Sequence, residues 1–306
     1  MTRLKEGRLV SVLAQLPNLT RVTLSAPALS ASALRVLDEL PRLTAFRFRS
    51  SSVFTDTKAT QAAFGALLAS KFLIRATELD LRDIACYRGT DVARILSTAP
   101  QLVSLKVMLA RGSGWQAHSK LICARRLRTF ECQLGDAYLN ADPTLLSLLP
   151  LLPASLETLT VLGLRITSAA MQKVAAQFPH LAALHLASTE RFERDGECKS
   201  DSSNPLPHVS CLLSLQSLRE LTIAAPRTFD SLHKLANLTA LNIRAENLKG
   251  ELLQPLRSIR NLERVTLQRG CVDGVALELL ACRELRLVRC SLLKNSVRRL
   301  NSQIER

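Results

Sequence analysis

The chain has 306 residues, 47% of them hydrophobic and only 4% aromatic, with 41 Lys and Arg against 26 Asp and Glu, a formal charge of +15. A charged fraction of 22% beside so large an apolar fraction excludes wholesale disorder. The scarcity of aromatics excludes a ring-filled core, so the interior must be built from Leu, Val and Ile.

No stretch reaches the roughly 18 consecutive apolar residues of a membrane span. The eight cysteines, at 86, 123, 132, 198, 211, 271, 282 and 290, form no CxxC pair, and most lie inside apolar runs. That pattern suits free thiols in a reducing, intracellular compartment rather than a disulfide framework. Cytoplasm is the expected location. An organelle is the alternative, because the start carries Arg8, Arg21 and Arg35 with no acid between Glu6 and Asp38. Arg outnumbers Lys, 31 to 10, which fits either phosphate and carboxylate recognition or coding bias.

In chain order, Leu9, Val12, Leu13 and Leu16 make one helical face before Pro17 and predict an N-terminal half-repeat over 1–18. A six-residue motif then begins, with apolar residues at its first, fourth and sixth positions. It reads LTRVTL from Leu19, LTAFRF from Leu43, ATELDL from Ala76, LVSLKV from Leu102, LRTFEC from Leu127 and LETLTV from Leu156. It continues as LAALHL from Leu181, LRELTI from Leu218, LTALNI from Leu238, LERVTL from Leu262 and CRELRL from Cys282. Successive starts lie 24, 33, 26, 25, 29, 25, 37, 20, 24 and 20 residues apart. Alternation inside the motif predicts a strand, and the segments between are helical: Met171, Val174, Ala175 and Phe178 recur at i, i+3, i+4, i+7 behind Thr167 and Ser168 as N-caps. Pro17, Pro41, Pro100 and Pro179 close such helices before the next strand. No unit can bury its own apolar face, so stability must come from stacking along one solenoid over 1–306. The longest spacing holds a polar insertion, 189–207. The face Leu293, Val297, Leu300 and Ile304 predicts a C-terminal capping helix over 291–306.

The stretch LETLTVLGLRITSAAMQKVAAQFPHL resembles the cysteine-containing leucine-rich repeats of F-box proteins and is similar to ribonuclease-inhibitor-type repeats. In CRELRLVRC, Cys290 stands where that family has its Cys. The resemblance implies an α/β leucine-rich-repeat horseshoe of about eleven repeats, with a parallel concave sheet and helices on the convex side. The other copies lack Asn or Cys at that turn position, for example Pro27, Ser51 and Gly270, so the ladder of hydrogen bonds it supports is expected to be missing.

Nothing in the sequence reads as catalytic: there is no phosphate loop, HExxH or GxSxG, and no Cys/His spacing for a metal. No cofactor or metal is expected, and the chain is read as a scaffold rather than an enzyme. Strand alternation places Arg21, Arg47, Arg49, Arg82 and Lys106 on the concave face, whose middle is small and nearly neutral. A second basic region runs without an acid from Val92 to Phe130. It contains Arg111, Lys120, Arg125, Arg126 and Arg128, with the only Trp, Trp115, in a Gly-Ser loop. Trp and Arg dominate interface energies and also stack on bases. Two classes of partner follow: protein, with the chain as a subunit or adaptor of a larger assembly, or RNA, held by the basic 92–130 region within a ribonucleoprotein.

Overall fold

The computed structural model describes residues 12–13, 15–25, 31–49, 57–86, 89–109, 124–138, 142–164, 167–187, 209–224, 229, 231–244, 247–248, 253–268, 271–272 and 282–292. The readings placed on Leu9, on 189–207 and on 293–306 lie outside these residues. Ser291 and Leu292, expected to open the C-terminal helix, instead form a two-residue strand.

Every copy of the motif opens a strand at its third residue. The strands are β1 (Arg21–Ser25), β2 (Ala45–Arg49), β3 (Glu78–Cys86), β4 (Ser104–Leu109), β5 (Thr129–Tyr138) and β6 (Thr158–Leu164). Then come β7 (Ala183–Ala187), β8 (Glu220–Ala224), β9 (Ala240–Arg244), β10 (Asn247–Leu248), β11 (Arg264–Gln268), β12 (Cys271–Val272), β13 (Glu284–Val288) and β14 (Ser291–Leu292). Eleven of them form a parallel sheet in chain order, and β10, β12 and β14 make a second, three-stranded one. Helices lie between: α1 (Ala31–Glu39), α2 (Thr57–Ala69), α3 (Phe72–Arg75), α4 (Gly89–Thr98), α5 (Asp142–Leu148) and α6 (Ser168–Gln177). This is the fold of a leucine-rich-repeat solenoid.

Period-two alternation sends the fourth and sixth motif residues inward in every copy but the last, whose Leu285 and Leu287 are exposed. Leu105 and Val107, Leu184 and Leu186, and Leu241 and Ile243 are buried. Leu184 and Leu221 are register partners in adjacent layers and are both sealed from solvent. Leucine replaces aromatics as filler because each layer must repeat at the strand spacing of about 4.8 Å.

The chain divides into two compact units, Met1–Asp136 with Ser147–Leu156, and Ala137–Leu146 with Glu157–Arg306. In the first unit, the 33-residue spacing is taken up by two helices, α2 and α3. Arg75, closing α3, donates from Nη2 to the carbonyls of Leu37 (2.5 Å) and Leu40 (2.9 Å) and from Nε to Leu43 (3.2 Å). A guanidinium thus donates to carbonyls at and just past the end of α1, where the helix dipole favours a cation. Asp38 accepts from Ser70 Oγ (2.5 Å) and from the Phe72 N–H (2.8 Å), and Phe72 packs edge-on to Phe46.

In the second unit α6 follows the predicted pattern. Thr167 Oγ1 accepts from Ala170 N, and Met171, Val174, Ala175 and Phe178 are buried. The later repeats depart from it. They carry 3-10 turns at Val209–Leu212, Leu232–Lys234 and Gln254–Ser258 in place of α-helices. The physical reason is the period. The apolar residues there recur strictly every third position: Val209, Leu212, Leu215, Leu218; then Phe229, Leu232, Leu235, Leu238; then Leu253, Leu256, Ile259, Leu262. A 3-10 helix has three residues per turn, so such a series lines a single side, and all twelve are buried.

Adjacent strands are tied at their entries by a backbone pattern that ignores side chains. The N–H groups of Thr44 and Ala45 both donate to the Thr20 carbonyl, and those of Arg219 and Glu220 to Ala182. The position therefore tolerates Thr, Val, Arg, Ala and Glu. At the expected family position, Cys290 Sγ donates to the Leu267 carbonyl at 3.1 Å, so the last repeat keeps one rung of the side-chain ladder.

Candidate functional site

Each motif's third and fifth residues point away from the helices, onto the open face of the sheet. Strand register arranges the fifth residues into a row running across the strands. In the first unit the row reads Thr23, Arg47, Asp80, Lys106, Glu131. From the second member on, the charges alternate in sign. Directly opposed side chains on neighbouring strands are close enough to attract, and they do.

Arg47 Nε lies 3.0 Å from Asp80 Oδ2, although its N–H is not aimed at that oxygen. Lys106 Nζ lies 2.9 Å from Glu131 Oε2. Arg82 crosslinks the row, meeting Asp80 through Nε (2.9 Å) and Nη2 (2.8 Å) and Glu131 through Nη1 (2.9 Å). Burial pushes the Asp80 carboxyl up, but the hydrogen bonds and charge of Arg82, helped by Arg49, outweigh it and hold the group below the usual carboxylate range. The same bonds to Asp80, with the charge of Glu131, raise Arg82 against its own burial. Glu131 is one of only two buried polar residues among those described, the other being Ser70.

Arg21 on β1 meets Glu78 on β3 at 2.9 Å, passing over Ala45, whose methyl group leaves the way clear. Arg49 faces Asp83 at 3.8 Å. All five cations read as a basic docking surface, Arg21, Arg47, Arg49, Arg82 and Lys106, are thus paired with acids, chiefly those of β3. Sequence order concealed this, because most of the partners lie one or two repeats away.

The acid-free stretch 92–130 does not gather into one patch among the described residues. Arg94 lies exposed on α4, Lys106 is on the open sheet face, and Arg125, Arg126 and Arg128 sit at the entry to β5. Arg126 Nη1 donates to Gln101 Oε1 (2.6 Å) and Arg128 Nη1 to the Ser155 carbonyl (3.0 Å). Arg111, Trp115 and Lys120 lie outside the described residues. Cys132 is fully buried beside Glu131; burial and that neighbouring charge push its thiol up, which makes it a core filler and not a nucleophile.

In the second unit the central row changes chemistry. It reads Thr160, His185, Thr222, Asn242, Thr266, Arg286 across β6 to β13, without an Asp, Glu, Lys or Arg until its last member. The adjacent row reads Thr158, Ala183, Glu220, Ala240, Arg264, Glu284 across the same strands. Again an ion pair skips a strand over an alanine: Arg264 Nη2 reaches Glu220 Oε1 at 3.1 Å above Ala240. Arg286 Nε holds Glu284 at 2.5 Å. Between these pairs lies an open depression of about 170 Å³, lined among others by His185, Thr222, Ala240, Asn242 and Thr266. His185 Nδ1 and Thr222 Oγ1 lie 2.8 Å apart. The carboxamide oxygen of Asn242 is shielded from solvent and has no hydrogen-bond partner. Sequence reading marked this region only as small and nearly neutral; the depression follows from Ala240 lying beside a polar row, a juxtaposition set by register.

Among the described residues no group of three or more His, Cys, Asp or Glu is placed to hold a metal ion, and no helix is long and apolar enough to cross a membrane. No family model and no curated protein matches the chain. Among solved structures, an internalin (inlF) of Listeria monocytogenes aligns with 91% of this chain and 69% of its own, at 16% identity and a TM-score of 0.52. An internalin C2 of the same organism aligns over 75% of this chain and 91% of its own, at 18% identity and 0.41. The complex of TLR13 with ssRNA13 aligns over 92% of this chain but only 37% of that one, at 19% identity and 0.47. The first of these carries the likeness, and it is a likeness of fold: this chain is built as a leucine-rich-repeat protein.

Proposed function

We propose that the chain is a non-catalytic interaction scaffold that docks a polypeptide partner on the open sheet face of its second unit, as a subunit or adaptor of an intracellular assembly. The observation carrying this reading is the change along the central row. In the first unit the row is neutralised by its own ion pairs, and a ligand would have to break them. In the second it places hydroxyl, imidazole and carboxamide side chains around a depression. Interface cores are depleted of charged residues. The RNA reading receives less support, because the described cations that suggested it are spread over α4, the open sheet face and the entry to β5, and the depression's rim is charge-balanced, whereas nucleic-acid footprints need a basic surplus.

The test is site-specific photo-crosslinking in living cells, with the reactive side chain at Thr222 and, as comparison, at Thr23 on the ion-paired row of the first unit. The reading expects a discrete protein adduct at Thr222 that survives nuclease, and none at Thr23. Adducts that vanish with nuclease, or appear equally at both positions, contradict it.

A further inference from the structure

The first and last strands of the long sheet hold the same motif positions in opposite states. In β1 the inward Val22 and Leu24 are buried. In β13 the inward Leu285 and Leu287 are 38% and 40% exposed, and Val288 beside them is 41% exposed. We infer that β13 is a self-association site: it pairs antiparallel with β13 of a second copy of this chain, about a two-fold axis through Leu285. Such pairing is independent of the docking face proposed above.

Three observations lead there. The first is that the edge is unguarded. Among the described residues β13 pairs with β11 alone. It holds no Pro, no bulge and no inward-pointing charge, the devices by which proteins keep sheet edges apart. The second is the direction of its backbone. The Glu284 N–H donates to the Glu263 carbonyl of the preceding repeat. Backbone groups alternate in direction along a strand, so those of Leu285 and Leu287 face the free edge. A helix laid over this edge would bury them without partners, whereas another strand pairs them. The third is that the strand complements its own reverse. On a two-fold axis normal to the sheet, residues of one face must meet, so the axis passes through a residue. Through Leu285, Glu284 of each copy stands opposite Arg286 of the other, and Leu285 meets Leu285. Through Glu284 or Arg286, identical charges would oppose each other; through Leu287, Arg286 would face Val288 and find no acid. Glu284 and Arg286 then occupy the closely spaced pairs, with Cα atoms about 4.5 Å apart, where opposite charges attract most. Each Glu284 also keeps its own Arg286 at 2.5 Å, so four charges alternate in sign around the axis.

The test is sedimentation equilibrium of the full chain in reducing buffer, over a concentration series, for wild type, Glu284→Arg and Arg286→Glu. A pair of five-residue strands is a small interface, so wild type should dimerise with a Kd of about 10–100 μM. Glu284→Arg sets Arg against Arg, and Arg286→Glu sets Glu against Glu. Each alone should weaken the dimer about tenfold or more, and an equimolar mixture of the two should restore it, because every opposed pair is again of opposite sign. Both side chains are exposed, 41% for Glu284 and 69% for Arg286, so the fold should stand, and the urea midpoint of each variant reports on it. Leu285→Arg serves as a further variant: it sets two cations against each other on the axis itself and should also leave monomer. Three results overturn the proposal: wild type that stays monomeric to about 200 μM, its edge covered by residues 293–306 or by another protein; a dimer that neither charge reversal weakens; or a mixture of the two variants that remains monomeric.

Discussion

Arg82 and Glu131 stand two strands apart, and Arg82 Nη1 reaches over β4 to lie 2.9 Å from Glu131 Oε1 while Lys106 Nζ lies 2.9 Å from the other oxygen. Glu131 therefore serves two cations at once from a buried position. Replacing it with Gln removes the charge and leaves both cations facing each other. The expected cost is about 1–3 kcal/mol, between that of an exposed pair and that of a fully buried one. Urea denaturation should show a lower midpoint, and adding Lys106→Met should recover part of the loss.

Asp80 gives the first unit a pH dependence of definite sign. Its folded-state pKa is depressed, so its contribution is present above the unfolded value of about 3.9 and disappears as pH falls through the folded value. Stability should drop on acidification below about pH 4, and Asp80→Asn should flatten that part of the profile. Equilibrium unfolding between pH 2 and 6, followed for both proteins, decides it.

Leu184 and Leu221 fill successive layers and meet in register. Leu→Ala at either should cost about 2–5 kcal/mol, the transfer term plus a cavity that stacked layers close poorly. Because the two share a cavity wall, the double variant should depart from additivity. His185 lies between Leu184 and Leu186 but faces the open side, so His185→Ala should move the midpoint far less.

The basic charge should produce weak, unspecific attraction to RNA and no more. Single-stranded RNA is expected to bind in the 10⁻⁴–10⁻⁶ M range at physiological salt, and changing Arg125, Arg126 and Arg128 together to Gln should leave it there. A gel-shift series across salt concentrations measures both. Nanomolar binding that these three substitutions abolish would restore the ribonucleoprotein reading.

The repeat, the strands and their register were legible in the sequence because a motif six residues long carries its own alternation. Its third residue, Arg21 in one copy and Glu284 in the last, opens the strand every time. The 3-10 turns are written there too: Val209, Leu212, Leu215 and Leu218 keep a strict period of three, which differs from the 3.6 of an α-helix by too little to stand out in a short segment. The charge pairing was not, since Arg21 and Glu78 are 57 residues apart and meet only because Ala45 lies between them. The depression at Asn242 was hidden for the same reason. It is made by what neighbouring repeats omit, and a linear reading finds groups more readily than gaps between them.

The central claim is that the open face of the second unit docks a polypeptide. The most direct measurement is the yield of the Thr222 protein adduct when the depression is filled by Ala240→Trp. Ala240 lies under an exposed ion pair worth about 0–1 kcal/mol, so the fold should tolerate the change, and the denaturation midpoint reports whether it does. With an unaltered midpoint, the account predicts that the adduct disappears. An adduct of undiminished yield, formed over a Trp that occupies the depression, would contradict it.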